Sequence, residues 1–188
     1  MRPTMSRAIA PLTLKAFLEQ PETKPASEFI HETVIQKPMP QGEHSLLQGE
    51  LCAAINEITE ASKLAYAFPE LRCTFGGASL VPDISVFRWS RIPVTDSGRI
   101  ANRFLVYPDW AIEILSPAQS QTKVLNNLLF CSKQGTELGW LLDPDTESVV
   151  IVLPEQRVQI LEGDTRLPVL PEIDVTLTAK QVFSWLAL

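Results

Sequence analysis

Histidine is nearly missing from this chain: His31 and His44 are the only two in 188 residues. That leaves little for a histidine-rich metal site or a Ser-His hydrolase. Cysteine is scarce as well. Cys52, Cys73 and Cys131 are odd in number, widely spaced and form no CxxC pair. They suit reduced core thiols in a cytoplasm better than a zinc site or a disulfide framework. No apolar run approaches the ~20 residues that span a bilayer, so no membrane partner is expected. The first twenty residues carry no sustained apolar h-region, so no signal peptide is read. Neither GxGxxG nor GxxxxGK[ST] occurs, which removes the dinucleotide and P-loop classes. Positive charge is not in excess either. The formal net charge is −6, unlike a protein that coats DNA without regard to sequence.

What is present is an ordinary globular composition of a length that suits one domain, residues 1–188, with residues 1–11 as a loose tail. The centre of the pattern is Tyr107-Pro108-Asp109-Trp110-Ala111-Ile112-Glu113-Ile114-Leu115-Ser116-Pro117. It reads as a buried strand bounded by prolines, with one carboxylate inside the apolar run. Such a charge costs several kcal/mol unless a cation or hydrogen bonds offset it. It marks either a structural ion pair or a site.

Around that strand the chain falls into alternating signals. Thr13 caps a short helix over 12–20, and 29–36 reads as a hairpin, although its turn residues are neither Gly nor Asn. A long helix is expected over 44–63, its stripe made by Leu46, Leu47, Leu51, Ala54, Ile55 and Ile58. Strands follow at 65–68 and 71–75, then 79–88, interrupted by Pro82. Residues 91–103 form a long loop. Ser120 or Thr122 opens a helix that Gly135 stops, and 138–142 is a second buried strand. Strands at 148–153 and 157–161 precede a short amphipathic helix after Thr178. Strand, helix, strand around Glu113, Val124–Cys131 and Trp140 make a βαβ crossover with parallel neighbours. The fold class is therefore α/β, or mixed α+β: a mixed central sheet flanked by helices, with an extra N-terminal hairpin.

Two carboxylates sit in apolar strands, Asp83 in VPDISVF and Glu113 in AIEILSP. If adjacent strands bring them together, a proton or a divalent cation must relieve their repulsion. Oxygen ligands without His or Cys suit Mg²⁺ (or Mn²⁺), which keeps water and substrate phosphate in its shell. Lys123 opens the next helix, and Asn127 lies one turn on, on the same face. The alternative for Lys123 is a solvated helix residue. Asp109, Asp143 and Asp145 adjoin prolines and read as turn formers. Arg88, Arg91, Arg99 and Arg103 stand against Asp96 alone, a local +3.

VPDISVF, PDWAIEILSP, the helix with Lys123 and GTELGWLLDP together resemble the Uma family of bacterial restriction endonucleases, within the PD-(D/E)XK nuclease superfamily. The resemblance implies a restriction-endonuclease-like core and divalent-metal hydrolysis of DNA, with Asp83 and Glu113 as the two acids. Lys123 would orient or activate water, Gln119 or Asn127 would assist, and Arg88 and Arg91 would position the phosphate backbone. A homodimer is expected for cutting two strands. The chain departs from the family pattern in three places. Leu115 stands where the signature lysine falls, Ala78 where an arginine is frequent, and His31-Glu32 where Asp-Gly is frequent in the hairpin. A catalytically lapsed nuclease fold serving as a nucleic-acid-binding or oligomerisation module is the competing expectation, and an RNA or nucleotide phosphodiesterase is a third.

Overall fold

The computed structural model describes residues 12–117 and 119–187; the tail expected over 1–11 lies outside them. Two sheets carry the fold. The larger is built from β3 (Ala65–Pro69), β6 (Ile84–Arg88), β7 (Trp110–Ile114), β8 (Leu138–Asp143), β9 (Ser148–Leu153) and β10 (Arg157–Glu162), in the order β10-β9-β8-β7-β6-β3. Only β7 and β8 run parallel; the other neighbours are antiparallel. The crossover between them is α3 (Gln121–Gln134), as the strand-helix-strand pattern requires. The smaller sheet joins β1 (Ser27–Ile30), β2 (Thr33–Gln36), β4 (Cys73–Phe75) and β5 (Ala78–Leu80) in the order β2-β1-β5-β4.

Period-2 alternation sorts the side chains of β7 between two cores. Trp110, Ile112 and Ile114 face a large cluster that includes Leu47, Leu51 and Ile55 of α2 (Gly42–Thr59) and Val182 and Phe183 of α4 (Ala179–Ser184). Ala111 faces the other way, against Val124 and Leu128 of α3. Trp110 and Trp140 meet edge to face, their ring centroids 4.6 Å apart, and the Trp140 indole donates to Pro168 O. Burial on both faces explains why β7 and β8 read as continuous apolar runs.

Three expectations shift. The stretch 79–88 is not one interrupted strand. Pro82 ends the chain's stay in the small sheet, and β6 begins in the large one, so Val81, Pro82 and Asp83 form the passage between sheets. The buried stripe of α2 is His44, Leu47, Leu51, Ile55 and Thr59; Ile58 is 42% exposed. Asp109 is buried as an ion-pair acceptor and does not serve only as a turn former. All three cysteines are free, with Cys73 and Cys131 buried. At the C-terminus of α3, Gly135 has φ 118°, and a Cβ there would lie 2.6 Å from Tyr107 Cζ, so glycine is required both by backbone and by space.

The first hairpin turns without glycine. His31 and Glu32 both have positive φ, 49° and 58°, the two-residue geometry that normally selects Asn-Gly or Asp-Gly. The His31 ring rests edge-on against Phe130, with centroids 5.9 Å apart, whereas Glu32 is exposed. Relieving the left-handed strain at Glu32 is therefore free of lost contacts. Glu32→Gly is expected to raise stability by about 1 kcal/mol, read as a higher urea midpoint at unchanged m-value.

Candidate active site

The register of the large sheet brings the two acids together. Ile84 pairs with Ile112 and Ser85 with Ala111; one further step sets Asp83 opposite Glu113. The ladder ends there, and the Asp83 side chain continues it, with Oδ2 accepting from the Ile114 backbone N–H at 2.7 Å. The backbone carbonyl of Asp83 accepts from Gln48 Nε2 at 2.7 Å and from the Glu70 N–H at 3.0 Å. Both carboxylates are buried, 2% exposed at Asp83 and 3% at Glu113.

Their cation is Lys37, which follows β2 directly. Its ammonium lies 2.6 Å from Asp83 Oδ1, 3.0 Å from Glu113 Oε2 and 2.8 Å from the Val81 carbonyl. Two further buried groups complete the cluster. His44, in the first turn of α2, donates from Nε2 to Asp83 Oδ2 at 3.1 Å, and its Nδ1 has no partner among the described residues. Glu28 of β1 accepts from the Val81 N–H at 2.8 Å and from Asn127 Nδ2 at 3.2 Å.

The electrostatics follow from burial set against one positive charge. Burial alone would raise Asp83, but the Lys37 ammonium and the His44 hydrogen bond outweigh it and hold the carboxyl well below its ordinary range. Burial dominates at Glu113 and pushes it well above, with Asp83 and Glu28 reinforcing the rise against Lys37. Glu28 is raised for the same leading reason. Burial would lower Lys37, yet Asp83, Glu113 and Glu28 together raise it above an ordinary lysine.

Two lobes of one cleft open on this cluster. One, about 350 Å³, is lined by Lys37, His44, Asp83, Ser116 and Gln119. The other, about 450 Å³, is lined by Glu28, Lys37, Glu113, Gln119, Lys123 and Asn127. Five residues expected from the sequence thus share the cleft: Asp83, Glu113, Gln119, Lys123 and Asn127. Lys123 is exposed on the cleft wall, and among the described residues it forms no salt bridge to either acid. Leu115, at the signature position, packs towards Ala111, Val124 and Leu128.

The geometry does not bring Arg88 and Arg91 to the cleft. Both hold Asp109 at the other end of β7, about 13 Å of strand away from Glu113. Arg88 Nη1 lies 2.7 Å from Asp109 Oδ1, and Arg91 Nη1 lies 2.6 Å from the same oxygen. Arg88 also pairs with Glu137 and Glu172, and Arg91 stacks on the Tyr107 ring.

Lys37, His44 and Glu28 were missed by sequence reasoning. His44 had a signal, since it falls on the α2 stripe at the spacing of Leu47 and Leu51. Lys37 had none: a lysine before a proline at the end of an exposed strand reads as surface.

A mixed sheet flanked by helices, with two buried acids meeting across adjacent strands, defines the restriction-endonuclease-like class. The chain belongs to the family described as "Uma2: Putative restriction endonuclease", which matches residues 14–180. It is also similar, at 53% identity and a TM-score of 0.91, to a solved structure from Anabaena variabilis ATCC 29413 described as a putative nuclease belonging to DUF820. The similarity covers 94% of this chain and 99% of that one. No curated protein matches.

Replacing both arginines with methionine would leave Asp109, 2% exposed, without a cation. Arg88→Met/Arg91→Met is expected to lose about 3–5 kcal/mol in urea unfolding and to keep its DNA affinity where folded. Weakened DNA binding at unchanged stability would instead return these arginines to the substrate.

Proposed function

We propose that the protein is an endonuclease that hydrolyses DNA phosphodiester bonds with Mg²⁺ or Mn²⁺ held by Asp83 and Glu113. The observation that carries this reading is the meeting of those two buried carboxylates at the end of β7, each with an oxygen turned to a shared cation. Among the described residues no group of three or more His, Cys, Asp or Glu converges as a metal cage. Two carboxylates are nevertheless what Mg²⁺ asks of a protein, the remaining positions going to water and phosphate. The hard, all-oxygen donor set suits that ion and not zinc.

When bound, the ion would polarise the phosphate and make its water more acidic. The chain's own groups supply the rest. His44 and the Ile114 N–H fix the Asp83 carboxylate in one rotamer. Gln119, on both lobes, offers hydrogen bonds to the phosphodiester or the attacking water. Lys123 on the wall presents a charge to a non-bridging oxygen, and Asn127 holds Glu28 clear of it. In the reaction a water oxygen bonds to phosphorus while one P–O ester bond breaks. One water proton ends on the leaving oxygen and the other passes to solvent. Cutting both strands of a duplex calls for two copies of the chain, so a homodimer belongs to the same reading.

A second reading, DNA binding without cleavage, draws on Leu115, whose apolar packing supplies no cation from the signature position. One set of measurements separates the two. Calorimetric titration with Mg²⁺ and Mn²⁺ should give heat with the wild type and none with Asp83→Asn/Glu113→Gln, whose fold is checked by circular dichroism. Nicking of supercoiled plasmid should fall at least ~100-fold in that variant. Equal heats from both proteins would overturn the metal assignment, and tight DNA binding with no nicking at any metal concentration would favour the second reading.

A further inference from the structure

We propose that Lys37 is the catalytic cation of this site, delivered by the N-terminal hairpin in place of a lysine on β7. The inference rests on the nuclease reading above and adds the residue that reading lacks.

The position two residues beyond Glu113 cannot supply a charge, because Leu115 is committed to the apolar layer under α3. The charge arrives from elsewhere in the chain, 46 residues before Asp83 and 76 before Glu113. An ammonium has three N–H bonds, and each of the three here has an oxygen: Asp83 Oδ1, Glu113 Oε2 and Val81 O. A surface lysine that had drifted towards an acid would satisfy one of them. Full satisfaction fixes the nitrogen as a point charge without rotational freedom, which is what stabilisation of a developing negative charge demands. The stem is anchored too, since the Lys37 N–H donates to the Ala26 carbonyl at 2.9 Å and Pro38 follows it.

Position argues the same way. Lys37 and Pro38 line both lobes of the cleft, so the two lobes meet at Lys37. A phosphodiester bound at that junction lies beside the nitrogen, with Lys123 and Gln119 on the adjoining wall. The charged and titratable groups facing Lys37 are Asp83, Glu113 and Glu28, with His44 behind Asp83. With all three N–H bonds held by protein oxygens, Lys37 acts as a fixed positive charge beside the phosphoryl oxygens. Lys123, exposed and unpaired with the acids, is left to bind DNA.

The two lysines separate experimentally. Wild type, Lys37→Met, Lys37→Arg and Lys123→Met would be compared in plasmid nicking under Mg²⁺ and in calorimetric titration with Mg²⁺ in the absence of DNA. Lys37→Met is expected to lose at least ~100-fold in kcat with KM little changed, and Lys37→Arg to recover part of it. Lys123→Met is expected to raise KM more than it lowers kcat. Because the ammonium shares both carboxylates with the ion, Lys37→Met should bind Mg²⁺ at least ~10-fold more tightly even as turnover falls. A residue that only held the fold together would lower both. A Lys37→Met protein that cuts within threefold of wild type overturns the proposal while the two-acid reading stands. Unchanged Mg²⁺ affinity in that variant overturns it whether or not the wild type cuts DNA. If instead the wild type cuts nothing while Lys37→Met binds Mg²⁺ more tightly, the nuclease reading fails and the place of Lys37 beside the ion stands.

Discussion

Two carboxylates cannot meet, buried, at the ends of adjacent strands unless a cation or a proton stands between them. In this protein the ammonium of Lys37 does so, within 3.0 Å of both. Much of the local architecture serves that one contact. The small sheet exists beside the large one because the chain crosses from β5 to β6 through Val81, Pro82 and Asp83. The crossing delivers the Val81 carbonyl to Lys37, the Val81 N–H to Glu28 and the Asp83 carboxylate to the mouth of β7. Breaking a buried pair by removing one partner costs about 3–5 kcal/mol, a large share of a typical domain's stability. The same cluster that would carry chemistry also holds two sheets to each other.

β7 is pinned by charge at both ends and by apolar packing between them. At its start Asp109 gathers Arg88 and Arg91; at its close Glu113 faces Lys37. The two clusters answer different needs. The arginine cluster reaches the exposed Glu137 and Glu172 and opens to solvent on its outer side. The lysine cluster is ringed by acids in excess of its own charge, so it is short of cation. The arginine cluster also carries one acid more than its two cations, but Glu137 and Glu172 are exposed and water screens the excess, whereas the excess around Lys37 is buried.

Much of the fold was legible because its signals are local. The βαβ unit around Glu113, the stop at Gly135 and the cap at Thr13 all follow from short patterns of apolar period and turn chemistry. Asp83 and Glu113 stood out because a carboxylate in an apolar strand is expensive. Their pairing follows from antiparallel register, which sequence alone does not print. Lys37 was illegible for the opposite reason: a lysine costs nothing at a surface, and no local pattern distinguishes the one whose stem turns inward. Arg88 and Arg91 misled because a cluster of arginines looks like a phosphate site until its acid partner is located, and Asp109 was hidden as a turn residue beside Pro108. Pro82 marked a break, yet whether a strand bends or changes sheets depends on partners far along the chain.

The exposed face of the first hairpin gives the cluster an uneven foundation. All four residues of β2 are exposed, it is the outermost strand of its sheet, and Lys37 hangs from its end. Outer strands open locally at a smaller free energy than the core around them. The end of β2 is the exception, because the three oxygens on the Lys37 ammonium tie it to the passage between the sheets and to β7. The contact that relieves the buried acids is therefore also the clasp that keeps an otherwise exposed outer strand from lifting away.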